Sequence, residues 1–139
     1  MLGGVLIPYP QGPAGHSDGD VLLHAIIDAL LGAAALGDIG TQFPSSDPQW
    51  KNAASTVLLE KTLSMINEAG YHLGNLDATV IVERPILAPH LPSVRQHLAA
   101  TLGVDINQVS VKAKTNEGVD AVGTRQAIAA HAVVLLEHA

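Results

Sequence analysis

The chain has 139 residues, of which 47% are hydrophobic and 14% charged, so it is long enough for one domain with a substantial core. Its net charge of -6 argues against a nucleic-acid surface, and the lack of cysteine excludes disulfides and thiolate metal sites. The first residues lack the features of a signal peptide, and no apolar run suits a membrane span. We therefore expect a single cytoplasmic domain over residues 1–139, with no nucleic-acid or membrane partner.

The N-terminal part of the chain predicts a strand, a loop and an apolar helix. VLIP, residues 5–8, is typical of a short strand ended by proline. Residues 20–36 predict a helix, with Ser17 or Asp18 as its N-cap and Gly37 as its stop.

The middle of the chain predicts a loop, a helix and a strand in that order. GDIGTQFPSSDP, residues 37–48, is a loop too polar for a core and long enough to be functional. ASTVLLEKTLSMINEAG, residues 54–70, predicts an amphipathic helix. HLGNLDATVIVERP, residues 72–85, predicts a strand whose run ATVIV suits a position covered on both faces.

The C-terminal part continues this alternation of helices and strands. Residues 91–103 predict a third helix, and the alternation in QVSVKAKT, residues 108–115, predicts a strand. Residues 125–138 suit either a helix or a strand, and we choose a strand because AVVLL follows a strand and a loop. The order of elements indicates an α/β domain whose sheet is covered on at least one face.

The stretch HSDGDVLLH, residues 16–24, places polar groups at the start of the apolar helix. Asp20, His24 and Asp28 are spaced by four and would lie on one helix stripe. A carboxylate one turn from a histidine can hold one ring nitrogen and leave the other for a metal. His16, Ser17 and the free N–H groups of the first turn could receive a phosphate. A single histidine on an apolar helix is, however, more often a core residue with a satisfied hydrogen bond.

A second polar group, KTNEG, follows the strand predicted over residues 108–115. Its Thr115, Asn116 and Glu117 lie at a strand end, where α/β proteins place ligands, although the composition also suits an ordinary turn. The remaining histidines share no metal-ligand spacing, and we interpret them as surface or structural residues: His72, His90, His97, His131 and His138.

Together these motifs resemble the family of 2-C-methyl-D-erythritol 2,4-cyclodiphosphate synthases, enzymes of the non-mevalonate isoprenoid pathway. The match is carried by HSDGDVLLHAIIDALLGAAALGDIGTQFPSSDPQWK, AGYHLGNLDATVIVERP, the pair Pro89 and His90, and VKAKTNEG, which together extend over essentially the whole chain. The resemblance implies an α/β (α+β) fold with a mixed sheet packed against about three helices. It also implies a homotrimer with three active sites at subunit interfaces.

The resemblance implies a lyase that acts on 4-diphosphocytidyl-2-C-methyl-D-erythritol 2-phosphate. The 2-phosphate would attack the β-phosphate, and CMP would leave as the cyclic diphosphate forms. Zn²⁺ and a second ion, Mg²⁺ or Mn²⁺, would hold the phosphates, so an acidic protein could use an anionic substrate. The expected compartment is the bacterial cytosol, or the plastid in a plant or alga.

The resemblance also implies roles for individual residues. His16 and Thr115 would be catalytic, His24 would bind zinc and Glu117 the second divalent ion. Asp20 and Asp28 would support His24. The residues implied to bind substrate are Ser17, Asp38, Ile39, Gly40, Phe43, Pro44, Ser45, Ser46, Asp47, Val82, Glu83, Arg84, Pro85, Ile86, Leu87, Ala88, Lys114 and Asn116.

The chain departs from the family pattern at three places. One is GVDAVGTRQA, residues 118–127, which lacks the family's common phenylalanine and G-R-x-E-G pattern. A strand with G-x-G-x-D-x-H, which carries two further zinc ligands, would precede GGVLIP but is not in this sequence, and catalytic zinc ordinarily takes three protein ligands. Ile86 stands where the family commonly has lysine. One hypothesis is an active synthase, in which either the reading frame starts upstream of Met1 or another group completes the metal site. The alternative is a truncated, catalytically impaired homologue that trimerises and binds an isoprenoid diphosphate. A third is a chain that folds poorly without that strand.

Overall fold

The computed structural model describes residues 1–8, 20–115, 117–123 and 128–139. The expectations for His16, Ser17, Asp18 and Asn116 lie outside the described residues, as does the part of the last predicted strand before residue 128. The helices are α1 (Val21–Ala33), α2 (Ile39–Gln42), α3 (Ser55–Glu68), α4 (Leu91–Leu102) and α5 (Asp120–Gly123). Of these, α1, α3 and α4 are long and correspond to the three predicted helices.

The strands β1 (Tyr71–Ile81), β2 (Val109–Lys114) and β3 (Ala129–His138) form one sheet in the order β2-β1-β3. The central strand, β1, runs parallel to β2 and antiparallel to β3. The sheet is therefore mixed, and the α/β class is confirmed. The choice of a strand for the C-terminal segment is also confirmed.

The core lies on one face of the sheet. Six apolar residues of α1 are at most 1% exposed: Leu22, Leu23, Ile26, Ile27, Leu30 and Leu31. They pack with α3 and with the inward residues of β1, such as Leu76 and Val80. Thr79 and Ile81 alternate with these buried residues and are half-buried, so this chain covers the second face of ATVIV only in part.

A tight turn replaces the strand predicted at residues 5–8. Leu2 and Val5 exchange backbone hydrogen bonds of 2.8 and 3.0 Å across Gly3 and Gly4, which have φ angles of 58° and 82°. A Cβ atom at Gly3 would lie 2.7 Å from Cγ1 of Val94 on α4. Glycine is needed here both for the left-handed backbone and for the close approach to α4. Leu2 and Val5 therefore pair with each other and not with a strand of the sheet.

The boundaries of α1 differ from those predicted. Its N-cap is Asp20, whose Oδ1 accepts the N–H of Leu23 at 3.0 Å, and not Ser17 or Asp18. The helix ends at Ala33 because Ala35 has a φ of 58° and the N–H of Leu36 bonds back to the carbonyl of Leu31 at 2.8 Å. The stop therefore lies two residues before Gly37.

The segment predicted as a loop over residues 37–48 contains the single turn α2. Asp38 is its N-cap and accepts the N–H of Thr41 at 2.8 Å. The turn places Phe43, which is 8% exposed, into the core beside α1 and α3. The loop thus has its own local structure because one carboxylate caps it and one aromatic side chain anchors it.

Asp20 is fully buried and joins two distant parts of the chain. Its carboxylate accepts the N–H groups of Gly3 at 2.9 Å, Gly4 at 2.8 Å and Leu23 at 3.0 Å. A buried carboxylate is tolerated only when such donors replace water. Asp20 therefore fixes the N-terminal turn onto the start of α1.

We expect Asp20→Ala to lower the free energy of unfolding by about 3 kcal/mol, since it leaves buried N–H groups without an acceptor. Asp20→Asn, which keeps one carbonyl oxygen, should lose less. Urea denaturation measures both. The control is Asp105→Ala, which removes an exposed cap and should cost about 1 kcal/mol or less. Equal losses for the two alanine variants would contradict the assigned role of Asp20.

Candidate functional site

A cleft of about 620 Å³ opens between α1, α2 and the start of α3. We call it the His24 cleft. It is lined by His24, Ile39, Gly40, Phe43, Ser45, Trp50, Lys51, Asn52, Ala53 and Leu58. The structure therefore brings together five of the residues implied by the sequence motifs, from two separate segments of the chain.

The other half of the lining was missed by the sequence reasoning. Phe43 and Trp50 pack edge to face, with ring centroids 4.9 Å apart and an interplanar angle of 83°. They are the chain's single phenylalanine and single tryptophan, and this scarcity was the available signal. Lys51 adds a cation to the cleft. Pro44, Ser46 and Asp47 lie in the same loop but do not line it.

The partner of His24 is Ser55, not a carboxylate. Nε2 of His24 lies 2.9 Å from Oγ of Ser55, which is fully buried at the start of α3. Asp28 instead accepts the N–H of Ile39 at 2.8 Å, and Asp20 binds the backbone as described above. The expected support of His24 by these two aspartates is therefore replaced by a hydroxyl, and Nδ1 is the ring nitrogen that Ser55 leaves free.

The described residues do not complete a zinc site at His24. Among them, no group of three or more histidine, aspartate or glutamate side chains is placed to hold a metal ion. Asp20, the nearest candidate along the helix, has its oxygens directed to backbone N–H groups. One imidazole falls short of the three protein ligands that catalytic zinc ordinarily takes.

Two carboxylates shape the loop that forms one wall of the cleft. Asp28 holds the N–H of Ile39, and Asp38 caps the same turn. Hydrogen bonds from the side chain and then the backbone of Thr41 hold the pKa of Asp38 below its ordinary value of 3.8. The ionised form of Asp38 is therefore the form that organises the turn.

A second group of implied residues lies where the parallel strands β1 and β2 end. The N–H of Val82 bonds to the carbonyl of Lys114 at 2.9 Å, one residue beyond the last registered pair of the two strands. We call residues 82–88 and 114–118 the strand-end segments. Val82 and Leu87 are buried at 5% and 4% exposure, whereas Thr115 and Glu117 are exposed.

The remaining residues of the first strand-end segment face outward in varying degree. Arg84 and Ile86 are exposed, Ile86 to 61%, while Glu83 and Pro85 are half-buried. Ala88 lines a different groove, beside Arg95 and Val111. None of the residues lining the His24 cleft comes from the strand-end segments, so the implied site is divided into two groups within the chain.

Comparison with known proteins assigns this arrangement to a family. The model of the YgbB family matches residues 1–137. The chain belongs to the YgbB family. The 2-C-methyl-D-erythritol 2,4-cyclodiphosphate synthase of Gloeobacter violaceus is 58% identical over 137 residues, which is 99% of this chain and 84% of that protein. The resemblance to these synthases, which are enzymes, is therefore confirmed.

Other YgbB-family relatives extend the comparison. The chloroplastic synthase of Arabidopsis thaliana is 52% identical over 98% of this chain, which spans 59% of that protein. A solved synthase structure bound to CDP superposes with a TM-score of 0.92 and 36% identity, covering 99% of this chain and 89% of that one. Within the part of the chain that the structure describes, no helix is long and apolar enough to cross a membrane.

The cap at Asp38 predicts a pH dependence of the cleft loop. Because the folded-state pKa is depressed, the cap contributes fully above the unfolded value of about 4 and is lost as pH falls through the folded value. We expect the Thr41 amide resonance to titrate with a midpoint below 3.8. NMR titration measures this. A midpoint above 3.8, or a titrating Thr41 amide in Asp38→Asn, would contradict the assignment.

Proposed function

We propose that this chain is a cyclodiphosphate synthase, acting on 4-diphosphocytidyl-2-C-methyl-D-erythritol 2-phosphate to release CMP. The observation that supports this most is the superposition on a CDP-bound synthase over 99% of the chain. The two groups of polar residues described above add to it, since a cleft with a lysine and a strand end suit the two ends of a nucleotide substrate.

The reaction is an in-line phosphoryl transfer within one substrate molecule. An oxygen of the 2-phosphate forms a bond to the β-phosphorus. The bond from that phosphorus to the oxygen bridging the two phosphates breaks, and CMP leaves with the bridging oxygen. The product is 2-C-methyl-D-erythritol 2,4-cyclodiphosphate. Catalysis of such a transfer depends chiefly on positioning and on stabilising the charge of the phosphoryl oxygens.

In this proposal the two groups divide the work between the ends of the substrate. Ile39, Gly40 and Phe43 hold the methylerythritol unit in the His24 cleft, while residues 82–88 take the cytidine. Thr115 donates a hydrogen bond to the reacting phosphates, and His16 with Ser17 orients the 2-phosphate. Lys51 and Lys114 supply positive charge beside an anionic substrate.

Divalent ions enter the proposal to different degrees. Glu117 is exposed at the strand end and, with the substrate phosphates, could hold Mg²⁺ or Mn²⁺, which would neutralise phosphate charge. His24 is the proposed zinc ligand, but the described residues supply no further ligands to it. The proposed phosphoryl transfer therefore assigns no role to zinc.

We further propose that the protein is a homotrimer in which one subunit's cleft faces its neighbour's strand-end segments. The division of the site between two groups supports this. The outer face of the sheet supports it as well, since Val133 and Leu135 on β3 are 71% and 61% exposed. A second copy that covers these two side chains would remove both from water. The proposed compartment is the bacterial cytosol or a plastid. The plastid is proposed because the Arabidopsis thaliana relative is named as chloroplastic.

The trimer predicts a sedimentation mass of about three times that of the chain. Val133→Glu should shift the protein to monomer, because it buries a carboxylate in the proposed interface. Analytical ultracentrifugation measures the mass. Glu68→Ala, at an exposed position on α3, is the control and should stay trimeric. A monomeric unsubstituted chain would exclude the proposed assembly.

The proposed reaction is tested by incubating the purified protein with substrate, Mg²⁺ and Zn²⁺ and following CMP release and the cyclic product by ³¹P NMR. We expect Thr115→Ala to lower kcat by about 100-fold, as the loss of one transition-state donor typically does. Thr115→Ser keeps the hydroxyl and should retain most activity.

Failure to release CMP in a folded trimer would reject the synthase. The alternative, a binding protein for an isoprenoid diphosphate, would then be tested by calorimetry with geranyl diphosphate. Equal loss in the alanine and serine variants of Thr115 would reject its hydroxyl as the donor.

A further inference from the structure

We propose that Glu83 is a positioning residue that holds the turn at Glu117 and Gly118 and couples it to the proposed nucleotide-binding segment, residues 82–88. The proposal rests on the proposed function for its catalytic meaning. Glu83 was implied above only as one member of a cytidine-binding run. Its described contact points elsewhere, because Oε1 of Glu83 accepts the N–H of Gly118 at 3.0 Å.

The position of Glu83 at the end of a strand pair explains this contact. β1 and β2 pair in register up to Ile81 and Lys114, and the bond from Val82 N–H to the Lys114 carbonyl is the next backbone link. Glu83 follows Val82 directly, and its carboxylate adds a side-chain connection between the same two segments.

The turn that follows β2 has a backbone conformation that other contacts must stabilise. Glu117 and Gly118 have φ angles of 53° and 73°, so two neighbouring residues are left-handed. A residue other than glycine in this region costs free energy and persists only when surrounding contacts determine it. The hydrogen bond to the N–H of Gly118 is such a contact, and it acts on the residue next to Glu117.

The two strand-end segments also differ in how firmly they are attached to the core. The first is anchored by the buried side chains of Val82 and Leu87. In the second, Thr115, Glu117 and Gly118 are all exposed. Glu83 therefore transmits the rigidity of the core to an exposed turn that carries a proposed catalytic hydroxyl and a proposed metal ligand.

A direct role of the Glu83 carboxylate on the substrate fits the contacts less well. Oε1 of Glu83 is already engaged by the backbone N–H of Gly118, so its described contact is with the turn and not with a cytidine group. Glutamine at this position keeps an acceptor oxygen and removes the charge. The pair Glu83→Ala and Glu83→Gln consequently separates the two roles.

The test combines amide hydrogen exchange with steady-state kinetics on the full chain. In Glu83→Ala we expect exchange at the Gly118 amide to rise about tenfold, while exchange in residues 109–114 stays unchanged. We expect kcat/KM to fall about tenfold, the equivalent of one hydrogen bond. Glu83→Gln should restore both quantities to within about threefold of the unsubstituted protein.

The control is Glu68→Ala, which removes an exposed glutamate from α3 and should change neither quantity. Unchanged exchange at Gly118 in Glu83→Ala overturns the proposal, whatever the activity. Faster exchange with unchanged kcat/KM overturns the coupling to catalysis. Loss in Glu83→Gln equal to that in Glu83→Ala overturns the acceptor role. If exchange at Gly118 is faster in Glu83→Ala but the unsubstituted protein releases no CMP, the contact between Glu83 and Gly118 is supported and the proposed synthase function is rejected.

Discussion

The buried carboxylate of Asp20 is the interaction on which the other contacts depend. A charge removed from water requires donors, and it takes them from the N-terminal turn and from the first turn of α1. Because Gly3 packs against Val94 of α4, the same carboxylate sets the position of α1 relative to α4. α1 in turn carries His24 and six of the twelve largest fully buried side chains among the described residues. One aspartate thus links the packing of the helices to the position of the candidate site.

The described contacts of the polar groups in the candidate site are mainly with backbone N–H groups and hydroxyls. Ser55 holds the ring of His24, Asp28 and Asp38 hold α2, and Glu83 holds the turn before α5. Such contacts fix the orientation of each side chain. They also suit a site in two parts, in which each part must keep its shape before a second subunit completes it.

Local patterns predicted much of the fold. The alternation in Val109–Lys114 and the helical period in Leu91–Leu102 depend only on which residues face the core, so they could be read directly. The spacing of Asp20, His24 and Asp28 predicted one helix stripe, but only His24 and Asp28 lie in α1, because Asp20 is its N-cap. The spacing also did not predict what each side chain binds. Ser55 lies 31 residues from His24, and no local pattern connects them. The turn at Gly3 and Gly4 was missed because it depends on contacts with Asp20 and α4.

The sequence by itself determined the family, the order of the three long helices and of the three strands of the sheet, and the two clusters of polar residues, because these depend on residue types and on periods of a few residues. The tertiary structure alone decided which groups meet. It placed Trp50 and Lys51 in one cleft with His24 and directed the carboxylate of Asp20 to backbone N–H groups. It also brought Glu83 into hydrogen-bond contact with Gly118, 35 residues away. These pairings follow from how helices and strands pack in three dimensions. A hydrogen bond depends on distance and direction, which spacing along a chain does not specify.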